Sequence, residues 1–333
     1  MWKKINNSNL REINLFATNS EKYAKAAMGL GAKIEYENIF NTLSITYKNK
    51  TEFIIDVTTS LNSQAAYRLV GNKYLTHSIW KKKGINCPDF EIIKKSEYKK
   101  RGFVFPKVNY PTVIKPARDS MHGEMVVTNI NSRKQLEIYI KNIFSKYSEA
   151  LIESYHANLN EYRILILKKK IIGISRKIPA NIIGDGQKNI KELIKEKNIL
   201  RSEYSEYHYA PIKVDEELKK TLNEQKLKLT SVPKKGKFVQ LKNVANLSAG
   251  GETVIERKIH PSVKKLALKA TEVLDIDFCG LDLLAKDITK PLKKGRDVFI
   301  EANASPGLNL HFDFQKKKMP LLARIIIKEL FKQ

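Results

Sequence analysis

The stretch that most restricts this chain is Asp277–Phe312, DFCGLDLLAKDITKPLKKGRDVFIEANASPGLNLHF. Two short apolar runs, FCGLDLLA and DVFIEANA, are bounded by turn chemistry and read as buried strands. The link between them is polar, with Pro291 and Gly295 as breakers, so an antiparallel hairpin is the simplest connection. Side chains alternate along a strand, which puts Glu301 and Asn303 on one face, and Asp282 on the partner strand can share it. Two carboxylates and an amide carbonyl against an apolar wall cost free energy unless something pairs them. An oxygen-only donor set suits a hard cation, and Mg²⁺ takes one or two carboxylates while leaving positions for phosphate. A hairpin that turns these groups to water is the plainer alternative, and the rest of the chain has to decide between them.

With 333 residues the chain can form roughly two or three lobes with substantial cores. Its net charge of +26 invites a nucleic-acid reading. The lysines are spread along the chain, however, with runs at 81–83, 168–170 and 316–318. There is no compact basic arm and no RRM-type motif, so attraction of an anionic small molecule such as ATP is the better inference. No run approaches the roughly 18 apolar residues of a membrane span, and MWKKINNSNLREINLF has no secretory core, so no membrane association is expected. Cys87 and Cys279 lie far apart in apolar surroundings, which suits buried thiols in a reduced cytoplasmic protein.

Along the chain, INLFA and TEFIIDV read as strands, and EKYAKAAMGLGA as a helix ending near Gly31. QAAYRLVGNKYLTHSIWKKKGINCPDF reads as two helices, broken near Gly71 and stopped at Gly84. Lys73 begins the second, where a helix N-terminus already favours anions, although a solvated lysine is the simpler reading. TVIK delivers Lys115 and MVVT returns. The link ARDSMHGE contains Ser120 and Gly123, a layout that suits a hairpin over phosphates without being a P-loop. A helix, SRKQLEIYIKNIFSKY, and the strands ALIES, EYRILIL and IIGISRKI complete a compact antiparallel α+β lobe. They carry Glu153, Glu161, Arg163 and Arg176. Arginine forks suit a carboxylate or phosphate, and cross-strand pairing of Glu161 with an arginine is the alternative. Further on, VQLKNVANLSAGGETV places Ser248, Gly250 and Gly251 in a small-residue turn that lets a ligand approach the backbone. His260 precedes a proline at a helix start and reads as a cap.

Together these stretches resemble the ATP-grasp ligases, most closely the ATP-grasp module of cyanophycin synthetase and of fused bacterial glutathione synthetases. The resemblance runs from about Asn62 to the C-terminus. Its most specific parts are RKIPANIIGDGQKNIKELI, VDEELKKTLNEQ, VPKKGKFVQLKNVANLSAGGETV, GLDLLAKDI and FIEANASPGLNLHF. It implies an α+β ATP-grasp fold: two antiparallel-sheet lobes clamping ATP, after a small α/β N-terminal lobe. The corresponding segments are 1–108, a lid subdomain at 109–184, and a metal-bearing subdomain at 185–333.

The resemblance further implies that Lys73 and Lys115 hold ATP phosphates under a lid containing Ser120 and Gly123. It puts Glu153 at adenine and Glu161 at ribose. Asp282, Glu301 and Asn303 become the ligands of Mg²⁺, with Mn²⁺ as a substitute. Arg163, Arg176, Ser248, Gly250 and Gly251 fall near the transferred phosphate and the acceptor. The implied reaction joins amino acids or a small peptide through an acyl phosphate, in a cytoplasmic protein that can be a homo-oligomer. Two departures stand out: the lid loop has one glycine, and Glu124 adds a negative charge beside it. A degenerate ATP-binding regulatory protein is the alternative function.

Overall fold

The computed structural model describes residues 2–10, 19–100, 103–118, 124–204, 207 and 209–332. The INLFA strand expectation and the lid residues Ser120 and Gly123 lie outside these. The chain opens with β1 (Lys3–Lys4), α1 (Ser20–Met28), β2 (Lys33–Glu37), β3 (Thr42–Tyr47) and β4 (Lys50–Ile55). There follow α2 (Gln64–Val70), α3 (Lys73–Lys82), β5 (Phe90–Lys94), α4 (Lys95–Tyr98), β6 (Thr112–Pro116) and β7 (Val127–Ile130). Next come α5 (Arg133–Lys146), β8 (Glu149–Ser154), β9 (Asn160–Leu167), β10 (Lys170–Ile178) and β11 (Asn181–Ile183). The rest comprises α6 (Ile190–Ser202), α7 (Glu216–Glu224), β12 (Phe238–Gln240), β13 (Glu252–Ile255), α8 (Pro261–Glu272), β14 (Phe278–Ala285), β15 (Val298–Asn303) and α9 (Leu322–Leu330).

These elements form two compact units. One contains Met1–Ser60, Gly173–Glu256 and Gly307–Gln333; the other contains Leu61–Ile172 and Arg257–Pro306. In the first unit β1 to β4 form an antiparallel meander in sequence order. Alternation along β2 buries Ile34 and Tyr36, and α1 buries Tyr23, Ala24 and Ala27. Helix α9 packs on α1 through a stripe of Leu322, Ile326, Ile327 and Leu330. The same unit holds the β11–β12 pair, whose Ile182 and Val239 share a core with Ile190, Leu193 and Ile194 of α6 and Leu218 and Leu222 of α7. Helix α6 starts on a complete capping box between Asn189 and Glu192.

The second unit contains an antiparallel sheet in the order β5-β8-β6-β7. Helix α5 covers it, with Leu136, Ile140, Ile143 and Phe144 packed on Ile93, Ile114, Ile130 and Ile152. It also contains β9, β14 and β15, paired antiparallel with β14 central. Helix α8 lies on β9 and β14, capped by the His260 side chain as its sequence position implies. Fully buried Trp80 of α3 meets Phe299 at a tilt and donates from Nε1 to Ala270 O of α8 at 2.9 Å. Both cysteines are free thiols, and burial pushes Cys87 up to about 11 and Cys279 up to about 12.

One amide closes the open end of the β14–β15 hairpin. Asn62 donates to Phe278 O (2.7 Å) and Ala304 O (2.9 Å), and its Oδ1 accepts from the backbone N–H of Asp277 (3.0 Å) and Phe278 (2.9 Å). At about 0.5–1.5 kcal/mol for each hydrogen bond, Asn62→Ala should cost roughly 3 kcal/mol. A urea titration should show a lower midpoint with an unchanged slope. A midpoint equal to wild type would remove this role from Asn62.

Candidate functional site

The register of β9, β14 and β15 builds a cross-strand row. Asp282 stands opposite Arg163 on one side and Glu301 on the other, and Gly280 stands opposite Asn303. Arg163 and Asp282 are both buried, and they join through two parallel bonds: Nε to Oδ1 at 2.5 Å and Nη2 to Oδ2 at 2.8 Å. Burial works against the Arg163 charge, yet the Asp282 carboxylate outweighs it and holds the guanidinium above its ordinary pKa, helped by Glu301 and Glu161. Gly280 leaves room for that guanidinium, since a Cβ there would sit 2.7 Å from Arg163 Nη1. Asn303 Nδ2 reaches Gly280 O at 3.4 Å.

A β-bulge follows Asp282: Leu283 pairs with Phe299 and leaves Ile300 as the extra residue on β15. The ring of His77, fully buried on α3, is hydrogen-bonded from Nε2 to Ile300 O at 3.1 Å. Its Nδ1 faces Glu153 Oε1 of β8 at 3.3 Å. Lys115 Nζ of β6 approaches the same carboxylate oxygen at 2.7 Å, an ion-pair distance without hydrogen-bond alignment. Lys73 joins this group because its backbone N–H donates to Ala117 O at 2.8 Å, tying the start of α3 to the end of β6. Lys73 Nζ lies 3.3 Å from Glu301 Oε1. Lys73, Lys115 and Glu153 are all buried, while the Glu301 side chain is 32% exposed.

Thus the structure brings Lys73, Lys115, Glu153, Glu161, Arg163, Asp282, Glu301 and Asn303 into one unit. Glu161 is two residues from Arg163 on β9 and shares its face. Arg163 forks onto Asp282 and Arg176 pairs with Glu256, with Nε to Oε1 at 2.9 Å, while Glu161 acts on Arg163 electrostatically. The Glu153 carboxylate is spent on Lys115 and His77. Glu124 accepts from Lys146 Nζ (2.7 Å) and Tyr147 Oη (2.9 Å), and Lys146 foremost holds its carboxyl low. Among the described residues, no group of three or more His, Cys, Asp or Glu side chains is placed to hold a metal ion.

Arg176, Ser248, Gly250 and Gly251 lie in the other unit. The 3₁₀ turn Leu247–Ala249 exposes Ser248 and ends at Gly250 with φ 95°. A Cβ at Gly250 would stand 2.8 Å from Ile212 Cγ1, and one at Gly251 would stand 2.8 Å from the Ala245 carbonyl. Neither glycine tolerates a side chain without movement of the surrounding backbone.

Two family models divide this chain between them. That of the D-ala D-ala ligase C-terminus matches residues 79–234, and that of the RimK-like ATP-grasp domain matches residues 230–326. The chain belongs to the ATP-grasp superfamily. Over 97% of its length it superposes on 45% of a bifunctional glutathione synthetase from Pasteurella multocida, with a TM-score of 0.69 and 25% identity. The bifunctional glutathione biosynthesis protein GshAB of Clostridium perfringens is 29% identical over 92% of the chain. Cyanophycin synthetase of Crocosphaera subtropica is 34% identical over 61% of it. The chain spans 41% and 24% of the length of these two relatives.

In this ATP-grasp chain, sequence reasoning missed His77, Asn62, Lys197 and Arg201. His77 was visible only as a polar residue on the buried side of YLTHSIW, and the other three acquire partners solely through the fold.

Burial is the main cause that lowers the His77 pKa; Glu153 opposes it and Lys115 adds to it. The unfolded chain therefore binds this proton more readily than the folded one. The resulting stability is complete above the ordinary histidine value of about 6.5 and is lost as pH falls through it towards the folded pKa. The urea midpoint should drop between about pH 7 and pH 5, and His77→Asn should flatten that drop. Identical slopes in both proteins would exclude His77 as the cause.

Proposed function

We propose that the chain is an ATP-dependent carboxylate–amine ligase joining amino acids or a small peptide. In this reaction a substrate carboxylate takes the γ-phosphoryl group of ATP and releases ADP. The amine then attacks the acyl carbon, the carbon–oxygen bond to phosphate breaks, and an amide and inorganic phosphate result. The observation that carries the reading is the row Lys73–Glu301–Asp282–Arg163, with Lys115 beside it; Lys115 and Arg163 fall in the segment matched by the D-ala D-ala ligase C-terminus model, and Asp282 and Glu301 in that matched by the RimK-like ATP-grasp model. The names of the relatives, synthetases of glutathione and cyanophycin, favour amino-acid or peptide substrates.

The chemistry of these side chains supports the assignment. Lys73 and Lys115 are ordered by carboxylates before any phosphate arrives, so little reorganisation is needed to meet a triphosphate. Glu161 is assigned to the ribose and the β8 edge at Glu153 to adenine. Arg163 and Arg176 are assigned to the transferred phosphoryl group, and the Ser248–Gly251 turn to the acceptor. Segment 109–184 is read as the lid and 185–333 as the metal-bearing subdomain. The Glu124 carboxylate is drawn to the end of α5, which reduces its repulsion of phosphate in the lid.

Asp282, Glu301 and Asn303 form an oxygen-only donor set that fits Mg²⁺, or Mn²⁺ in its place. Asp282 accepts from Arg163 on both oxygens, and a carboxylate has about four lone-pair sites. Two carboxylates and one amide make a sparse site, as expected of a cation that shares its sphere with phosphates and water. When bound, such an ion neutralises charge on the phosphoryl group in transfer. Among the described residues no helix is long and apolar enough to cross a membrane. The unbridged thiols favour a cytoplasmic setting, and a homo-oligomer is compatible with the family.

ADP release should depend on Mg²⁺ and on one member of a pooled panel of amino acids and dipeptides. Glu301→Gln should lower kcat at least ~100-fold with little change in Tm, because Glu301 is not deeply buried. Tight ATP binding without turnover on any pool would favour the regulatory reading instead. Near-normal turnover in Glu301→Gln would remove Glu301 from the metal site.

A further inference from the structure

Helix α6 carries two cations one turn apart, half-buried Lys197 and buried Arg201, and both reach the segment Leu247–Glu252. Arg201 has no solvent exposure. Its Nη2 donates to Leu247 O at 3.1 Å, its Nη1 to Gly251 O at 3.0 Å and its Nε to Ala210 O at 2.7 Å. The first two carbonyls bracket the turn that exposes Ser248. Lys197 Nζ donates to Glu252 Oε1 at 2.7 Å, immediately after the turn, and to Asn181 O (2.8 Å) and Oδ1 (3.0 Å). Asn181 Nδ2 donates to the same Glu252 oxygen.

A guanidinium bonded only to carbonyls is an expensive way to fill a core. Burial pulls Arg201 down to about 10, with Glu252 and Tyr209 opposing, so it remains charged at neutral pH. The rings of Tyr209 and Phe314 recover part of the cost, with their centroids 5.2 and 5.8 Å from Cζ. Replacing buried charges by apolar groups of similar volume is often neutral or stabilising, so stability alone is a poor reason for an arginine here. A planar fork supplies directed donors that a hydrophobe lacks.

The turn's own bonds run from Ala249 N–H and Gly251 N–H to Asn246 O and from Gly250 N–H to Leu247 O. They define its curvature, and Arg201 adds a second donor on the Leu247 carbonyl and a side-chain donor on the Gly251 carbonyl, so that one fork ties the two ends of the turn together. We propose that Arg201, supported by the Lys197–Glu252–Asn181 network, is a positioning residue that holds the Ser248 turn in the shape that receives the amino-acid or peptide substrate. This rests on the ligase reading above.

The test uses the full chain carrying Arg201→Met or Arg201→Lys. Lysine keeps the charge but cannot make the three-way fork, and it carries the comparison if the methionine variant does not fold. Hydrogen exchange at residues 246–252 should accelerate while the amides of β14 and β15 keep their protection. KM for the amino-acid substrate should rise ~10-fold or more, as expected of a small misplacement, with KM for ATP within about twofold. Unchanged exchange in the turn, or an equal rise in both KM values, overturns the proposal. If the wild-type chain turns over no substrate pool, the ligase reading fails on its own. The positioning role then fails with it, while the exchange comparison still decides whether Arg201 shapes the turn.

Discussion

The buried Arg163–Asp282 pair is the interaction on which the candidate site depends. Taking either charge out of water alone would cost several kcal/mol, and only the two-bond fork makes the pair tolerable. The pair imposes conditions on its neighbours. Residue 280 has to lack a Cβ, because the guanidinium occupies that space. The β9–β14 register cannot slip by one residue without moving one partner to the opposite face. Apolar replacements could hold three strands together as firmly. They could not place a carboxylate in the middle of the sheet.

From this pair a row of charged side chains runs outward, two carboxylates between an arginine and a lysine. Glu301 lies across β15 from Asp282, Lys73 meets Glu301, and Lys115 meets Glu153 a short way off. Each of these cations has a carboxylate beside it. An unpaired buried lysine would cost far more to keep charged. His77 fits the same logic. It is buried neutral under burial's dominant effect, and its ring nitrogen occupies the carbonyl freed by the bulge at Ile300. The first unit solves a different problem. There the backbone of the Ser248 turn is the proposed acceptor surface; a Cβ at either of its two glycines would meet neighbouring atoms at 2.8 Å, and an arginine holds two of its carbonyls.

Much of this was legible in the residues. The hairpin, the shared face of Glu301 and Asn303, Lys73 at a helix start and the cap at His260 are local consequences of period, turn chemistry and capping, and all four stand in the structure. The pairing partners were not legible. Nothing near Arg163 in sequence indicates that it chooses Asp282 over Glu161, or that Arg176 chooses Glu256.

The sequence by itself determined which groups face which way along each strand and helix, because alternation and helical spacing act over a few residues. Tertiary structure decided which of those groups meet. Strand register and the packing of α3 and α6 bring together residues as distant in sequence as Lys73 and Glu301, and a one-residue shift in either would have assembled a different set. The apolar face of the hairpin was therefore certain from its letters. Only the fold made its polar row into a charge-balanced site.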